Sequence, residues 1–259
     1  MSHMRKSIIC SLLILLTGCI SVFSSCGGNH YQEKPFDGMK GRVQKVTVWH
    51  LMPELWYAGN KGTDVMYVNV SIYDVYGYEV CSALMDSAER IQSETESLFE
   101  NGVCKRSTTK AGGRTLAQMN LVSEKRGTLE YSMEKNGRRF RMTVKQSSIG
   151  RHHKSVITED GKVVTISTIR TDRSGNPVKV TEKEPQTGKK TVETNMYDEN
   201  QNIIEKHITT WNEEGEKEEN IVYTKYGDLD EHGNWKDART YNQYGFPEEV
   251  LVREFEYWE

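Results

Sequence analysis

The chain has 259 residues and nearly balanced charge, 34 Lys and Arg against 37 Asp and Glu, for a net charge of -3. That balance gives no electrostatic footprint for nucleic acid. The length fits one domain or two, because all-β domains commonly pass about 200 residues without dividing.

Arg5 and Lys6 open the chain, and residues 8–23 that follow carry no charge and are dominated by Ile, Leu, Val and Phe. A positive start and a short apolar run form the pattern of an export signal. The run falls short of the roughly 20 apolar residues that a spanning helix needs, and no later stretch approaches it. The mature chain is therefore not expected to cross a membrane. The run ends at Phe23-Ser24-Ser25-Cys26-Gly27-Gly28-Asn29. This resembles a bacterial lipobox: an apolar residue, two small ones, and a cysteine whose thiolate is the nucleophile that takes a diacylglyceryl group. A second box, Leu16-Thr17-Gly18-Cys19, fits the motif equally but would leave apolar residues 20–23 at the new N-terminus. Cys26 is thus the expected lipidation site, with 1–25 as signal peptide, 26–40 as a flexible tether and 41–259 as a single repeat-built β domain. Cleavage removes Arg5 and Lys6 and no acid, so the net charge goes from -3 to -5. Two or more acyl chains hold a protein stably on a bilayer. The expected partner is then the lipid bilayer, and the expected location is the cell envelope. Gly27 and Gly28 follow the cysteine with no acidic cluster close behind, which favours an outer-membrane site facing the periplasm.

The first strand is read at 41–49, rich in β-branched residues and opened by Gly41. From there the sequence alternates strand and short turn. Tyr73-Asp74-Val75-Tyr76-Gly77, Thr171-Asp172-Arg173-Ser174-Gly175, Trp211-Asn212-Glu213-Glu214-Gly215, Leu229-Asp230-Glu231-His232-Gly233 and Tyr241-Asn242-Gln243-Tyr244-Gly245 share Asp or Asn, two free positions and Gly. Tyr197-Asp198-Glu199-Asn200-Gln201 is the same unit without its glycine. An Asp or Asn at the first position of a type I turn accepts from the backbone ahead of it, and Gly at the fourth accepts the left-handed conformation that returns the chain. These carboxylates are read as structural, because no copy has the dense oxygen spacing of a calcium loop. The two-residue turn at Asn136-Gly137 fixes a register in which Met133 faces Phe140, Tyr131 faces Met142 and Leu129 faces Val144. The other face carries Glu134 against Arg139, Ser132 against Arg141 and Glu130 against Thr143, a solvated surface with one ion pair.

One segment is ambiguous. Leu84, Ala88, Ile91, Thr95 and Leu98 have helical spacing, so residues 83–99 read either as one helix or as two further strands. Asn101-Gly102 fits a helix C-cap or a hairpin turn. Cys81 and Cys104 form a disulfide or remain two buried thiols; in an oxidising compartment both outcomes are open. No CxxC, zinc-spaced Cys/His cluster, GxSxG or HExxH occurs, so no catalytic residue, metal or cofactor is expected.

The Tyr-Asp-x-x-Gly-Asn-like unit at 197–202, and without the aromatic at 229–234 and 171–176, resembles the YD repeat of RHS-type proteins. With the lipobox and the 41–48 opening, the chain resembles envelope lipoproteins with RHS-like repeats, most strongly over 171–259. The resemblance implies a long hairpin meander and no established enzymatic activity. The fold class expected is therefore all-β, an antiparallel hairpin meander forming a curled or twisted sheet, since so many strands cannot stay flat. Such a sheet has a concave face. Trp211, Trp235, Tyr241 and Tyr244 either fill its core or face a ligand there. The functional reading is a non-catalytic envelope lipoprotein acting as a structural or interaction module. The alternative is a binder or carrier of a glycan, peptide or lipid in the concave aromatic face.

Overall fold

A computed structural model describes residues 39–53, 65–125, 127–147 and 151–259. Every named element is a strand: β1 (Val43–Leu51), β2 (Val65–Tyr73), β3 (Glu79–Asp86), β4 (Ile91–Glu100), β5 (Val103–Ala111), β6 (Arg114–Lys125), β7 (Thr128–Lys135), β8 (Arg138–Gln146), β9 (His152–Glu159), β10 (Lys162–Thr171), β11 (Pro177–Lys183), β12 (Lys190–Tyr197), β13 (Ile203–Trp211), β14 (Lys217–Tyr226), β15 (Asp237–Asn242) and β16 (Pro247–Tyr257). Each strand pairs antiparallel with the next. The expected meander is present, but it does not end in two free edges. β1 pairs with β16 through Val46 and Phe255, Val48 and Arg253, and His50 and Leu251, and the sixteen strands close into a barrel. Closure satisfies the backbone groups that a curled open sheet would leave bare along both edge strands.

The turn chemistry explains how the hairpins form. In each turn the Asp or Asn side-chain oxygen accepts from amides ahead of it: Asp74 from Tyr76 and Tyr78 at 2.9 and 3.0 Å, Asp172 from Ser174 and Asn176 at 2.7 and 2.9 Å, Asn242 from Tyr244 and Phe246 at 3.0 and 3.1 Å. The fourth residue is left-handed, with φ of +89° at Gly77, +88° at Gly175 and +81° at Gly245. Gln201, in the copy without glycine, takes φ +69° and keeps the same amide-to-Asp198 backbone bond.

The same device resolves the ambiguous segment. Residues 83–86 end β3, 87–90 form a turn and 91–99 lie in β4, so there is no helix at 83–99. Asp86 accepts from the amides of Ala88 and Arg90 at 2.9 and 3.0 Å, and Glu89 sits at φ +58° where other copies have glycine. The apolar spacing misled because Ile91 and Leu98 are exposed strand residues, 53% and 46% accessible. Asn101-Gly102 is a two-residue turn with both φ values positive, +52° and +76°.

The register read from Asn136-Gly137 is the observed one, and Leu129, Tyr131, Met142 and Val144 are all buried. Among the described residues Glu134 and Arg139 of the opposite face form no ion pair; on the inward face Arg138 reaches across to Glu159 of β9, with Nε donating at 2.6 Å. Alternate residues point to opposite sides of the wall, and the two buried clusters mark the inward face, while Leu51, Val68 and Val250 are buried on the other side of β1, β2 and β16. One cluster combines Cys104, Met119, Leu129, Tyr131, Met142 and Val144, and another combines Met39, Val43, Val46 and Tyr73. Side chains so fully excluded from water pack the lumen there, whereas a round barrel of this strand number leaves an aqueous channel.

The stretch read as tether is mostly outside the described residues, as are Cys26 and the signal peptide. Its end is not loose: Met39 is buried, and the Lys40 amide donates to Asn234 Oδ1 at 2.5 Å. The terminal rim of the barrel, where β1 begins and β16 ends, is also where the other odd-numbered strands begin.

Candidate functional site

A cavity of about 470 Å³ lies on the inward side of β13–β16 and meets Met66 across the seam. One part is apolar, lined by Ile203, Val222, Tyr226, Trp235 and Leu251. Toward the distal rim it meets Glu248 and Glu249. The volume falls in the range of small-molecule sites, roughly 300–1,000 Å³.

At the terminal rim the long β14–β15 connection, residues 227–236, folds over this region. Its Trp235 is buried against Tyr226, with ring centroids 5.3 Å apart, and the Arg253 guanidinium lies 3.5 Å from the Trp235 ring centroid. Asp230 anchors the connection. Its Oδ1 accepts from the amides of His232 and Asn234 at 3.0 and 2.8 Å, and its Oδ2 accepts from the Tyr257 hydroxyl. Asn234 Nδ2 donates to the Lys40 carbonyl and to the Tyr257 hydroxyl oxygen, each at 2.8 Å. Burial alone would raise the Asp230 carboxyl; the bonds from Tyr257, Asn234 and His232 outweigh it and hold the group below its ordinary range. Burial, reinforced by Asp230, pushes the Tyr257 hydroxyl up.

Next to the cavity, His50 Nδ1 lies 2.6 Å from Glu249 Oε1 and its Nε2 lies 3.0 Å from Asn69 Nδ2. The Tyr67 hydroxyl donates to the same Glu249 oxygen at 3.3 Å, and its ring stacks on His50 with centroids 4.0 Å apart. A carboxylate that orients a histidine is one half of a nucleophilic triad. Here the ring nitrogen that would activate a hydroxyl or thiol faces an amide instead. The arrangement is a polar network across the β1–β2 and β1–β16 seams. Glu182, also inward, is pushed up by burial and then by Glu184.

The four candidate aromatics do not converge. Trp235 borders the cavity. Trp211 is on the outer wall under Lys190, whose Nζ is 4.1 Å from its ring centroid, and Tyr241 lies outward beneath Lys225 at 5.2 Å. Tyr244 sits at a turn tip, 75% accessible. They split because strand alternation sends neighbouring side chains to opposite faces, so aromatic abundance along the C-terminal third does not build one aromatic surface. Cys81 and Cys104 form no disulfide with each other. Cys104 is in the inward cluster, while Cys81 stands opposite the outward Ile72 and Glu96, so the wall itself separates them. Among the described residues no group of three or more His, Cys, Asp and Glu side chains could hold a metal ion.

The inward site residues His50, Asn69, Tyr67 and Glu249 carried no sequence signal, since they come together only through closure of β1 on β16.

The outer wall carries ion pairs at the β1–β16 seam, between β4 and β5, and on β14. Lys45 pairs with Glu256 at 2.6 Å, Lys110 with Glu96 at 3.1 Å and Lys217 with Glu219 at 2.6 Å.

No family of known proteins and no curated protein matches this sequence. Solved structures do. A porin-like protein from Bacteroides uniformis ATCC 8492 superposes with a TM-score of 0.51 at 9% identity, over 84% of this chain and 99% of that one. A porin-like protein from Bacteroides vulgatus ATCC 8482 gives a TM-score of 0.37 at 12% identity, over 83% and 98%. The first of these likenesses is one of fold: a closed all-β barrel.

Proposed function

We propose that this chain is a non-enzymatic barrel of the cell envelope, held to a membrane by acylation of Cys26 and standing in water beside it. The observation that carries the reading is the outer wall. A lipid-spanning barrel presents an apolar band about 25 Å tall, and Lys or Arg at its midplane costs roughly 2–4 kcal/mol each. In this barrel Glu94, Glu96, Lys110, Arg139, Arg141, Lys225 and Arg239 occupy outward strand positions. The lipobox supplies the attachment that such a wall does not. The absence of an available nucleophile at His50 favours a non-catalytic role, and the turn units keep the YD-repeat resemblance as the proposed ancestry. Mass spectrometry of the membrane fraction should find an acylated N-terminal Cys26. Replacing residues 1–26 by an export signal that leaves no lipid should release a folded barrel into the soluble fraction. A barrel that still sediments with membranes would overturn the reading.

A second reading, a binder of a small amphipathic ligand, is favoured by the cavity between Trp235 and Glu249. Thr224 lines it. Native mass spectrometry should then find a bound small molecule that Thr224→Trp displaces.

A further inference from the structure

We infer that the outer wall of β8–β11 at the terminal rim is a docking surface for the anionic headgroups of a membrane. The inference rests on the proposed anchor at Cys26, which would hold that rim beside a bilayer.

Other outer-wall cations have partners: Lys45, Lys110 and Lys217 pair with acids, and Lys190 and Lys225 lie over aromatic rings. Across β8–β11 this pattern stops. Arg141, Lys145, Lys154, Arg170 and Lys179 are all exposed, and among the described residues none has a carboxylate partner. The register sets them directly against one another: Lys145 opposite Lys154, His152 opposite Arg170, and Arg170 opposite Lys179. Like charges directly opposed across a sheet are destabilising. A single acid at any of these solvent-facing positions would relieve the repulsion. An external anionic surface relieves it as well.

Position selects the occupant. Lys145 and Arg170 are near the ends of β8 and β10, and Lys154 and Lys179 are near the starts of β9 and β11. All four therefore stand at the terminal rim, where Met39 enters the fold. Exposed Arg151 and Arg173 extend the patch into the adjoining turns. Cys26 precedes Met39 by thirteen residues, so an acylated cysteine is at most roughly 45 Å away. A lipid anchor and a basic patch are the two signals that together fix a protein to a membrane. The mature net charge of -5 means that most other faces are repelled by anionic lipid. The cations spread over four adjacent strands, about 14 Å wide at the usual strand spacing, which suits a headgroup plane.

The test uses the lipidated chain on vesicles of phosphatidylcholine alone or with phosphatidylglycerol added, with lysine acetylation followed residue by residue. Lys145, Lys154 and Lys179 should be acetylated about fivefold more slowly on the anionic vesicles, the contrast fading at high salt. Lys45 and Lys110 should not change. Retention on both vesicles with equal rates at every lysine overturns the docking surface and leaves the anchor standing. Retention on anionic vesicles only supports the surface and overturns the anchor, and retention on neither overturns both. Protection by dextran sulfate but not by phosphatidylglycerol overturns the membrane as occupant. Lys154→Glu faces Lys145 as an opposite charge, so it should melt no lower than wild type while Lys145 and Lys179 lose protection. Full protection in that variant overturns the inference.

Discussion

Gly245 isolates the backbone part of the turn device. It holds φ +81°, and a Cβ built there meets nothing within 4 Å, so Gly245→Ala changes conformational preference without a clash or lost contact. A left-handed L-residue costs roughly 1–2 kcal/mol. Alanine gives back about 0.4–1 kcal/mol by restricting the unfolded chain. The difference leaves the variant less stable by about 0.5–1 kcal/mol, which for a domain of this size lowers Tm by roughly 1–4 °C. The reciprocal change is available in the same molecule: Gln201 holds φ +69° in an equivalent turn, so Gln201→Gly should shift stability the other way. Thermal melts by circular dichroism and urea unfolding followed by tryptophan fluorescence both read the difference. Equal stability of Gly245→Ala and wild type would mean that the turn does not need the left-handed residue.

Asp172→Ala removes the acceptor for two amides and should cost on the order of 1 kcal/mol, while Asp172→Asn keeps an acceptor oxygen and should cost less in the same urea titration. Asp230 is held below its ordinary value of 3.8; its contribution is therefore complete above that value and is lost as pH falls through the lowered one. Melts taken through that acid range should show this loss in wild type and not in Asp230→Asn. Glu182 has the opposite sign, raised above 4.5 by burial, so its ionised form opposes folding as pH rises, and Glu182→Gln should raise Tm at neutral pH with the gain vanishing below about 4.5. Tyr257→Phe takes a donor from Asp230 and an acceptor from Asn234, leaving half-buried polar atoms short of partners at about 1–3 kcal/mol. Amide exchange should then accelerate first in β1 and β16, and uniform acceleration including β7 and β8 would contradict a local tie between Tyr257 and the 227–236 connection.

Local features were legible and global ones were not. The Asp-x-x-Gly units and Asn136-Gly137 encode turns in a handful of adjacent residues, so strand positions, the Tyr131–Met142 register and the dry face of β7–β8 could be read directly. The Asp86 turn escaped because Glu89 occupies the position that glycine marks elsewhere, and the apolar spacing around it mimicked a helix. Closure escaped because no residue pattern in β1 announces β16 as its partner some 200 residues later. The His50–Glu249 contact and the opposed Lys145 and Lys154 depend on register between strands, so their meaning appeared only once the pairing was known.

Nearly every strand contact in this barrel joins sequence neighbours; the exception is β1 with β16. Hairpins driven by local turns close little chain entropy and form readily, whereas the β1–β16 seam must close almost the whole chain. The seam is also where the non-repetitive parts gather. The 227–236 connection is the long one at the terminal rim, and through Asp230 and Asn234 it ties β16 at Tyr257 to the entering chain at Lys40. Toward the distal rim, His50 bridges Asn69 and Glu249 across the strands that meet there. The repeats build the wall, and the residues that depart from the repeat close it. The cavity lies beside that closure rather than within the uniform hairpins of β5–β8. If the barrel opens along this seam to admit a ligand, two polar networks and one strand pair separate while every hairpin stays intact.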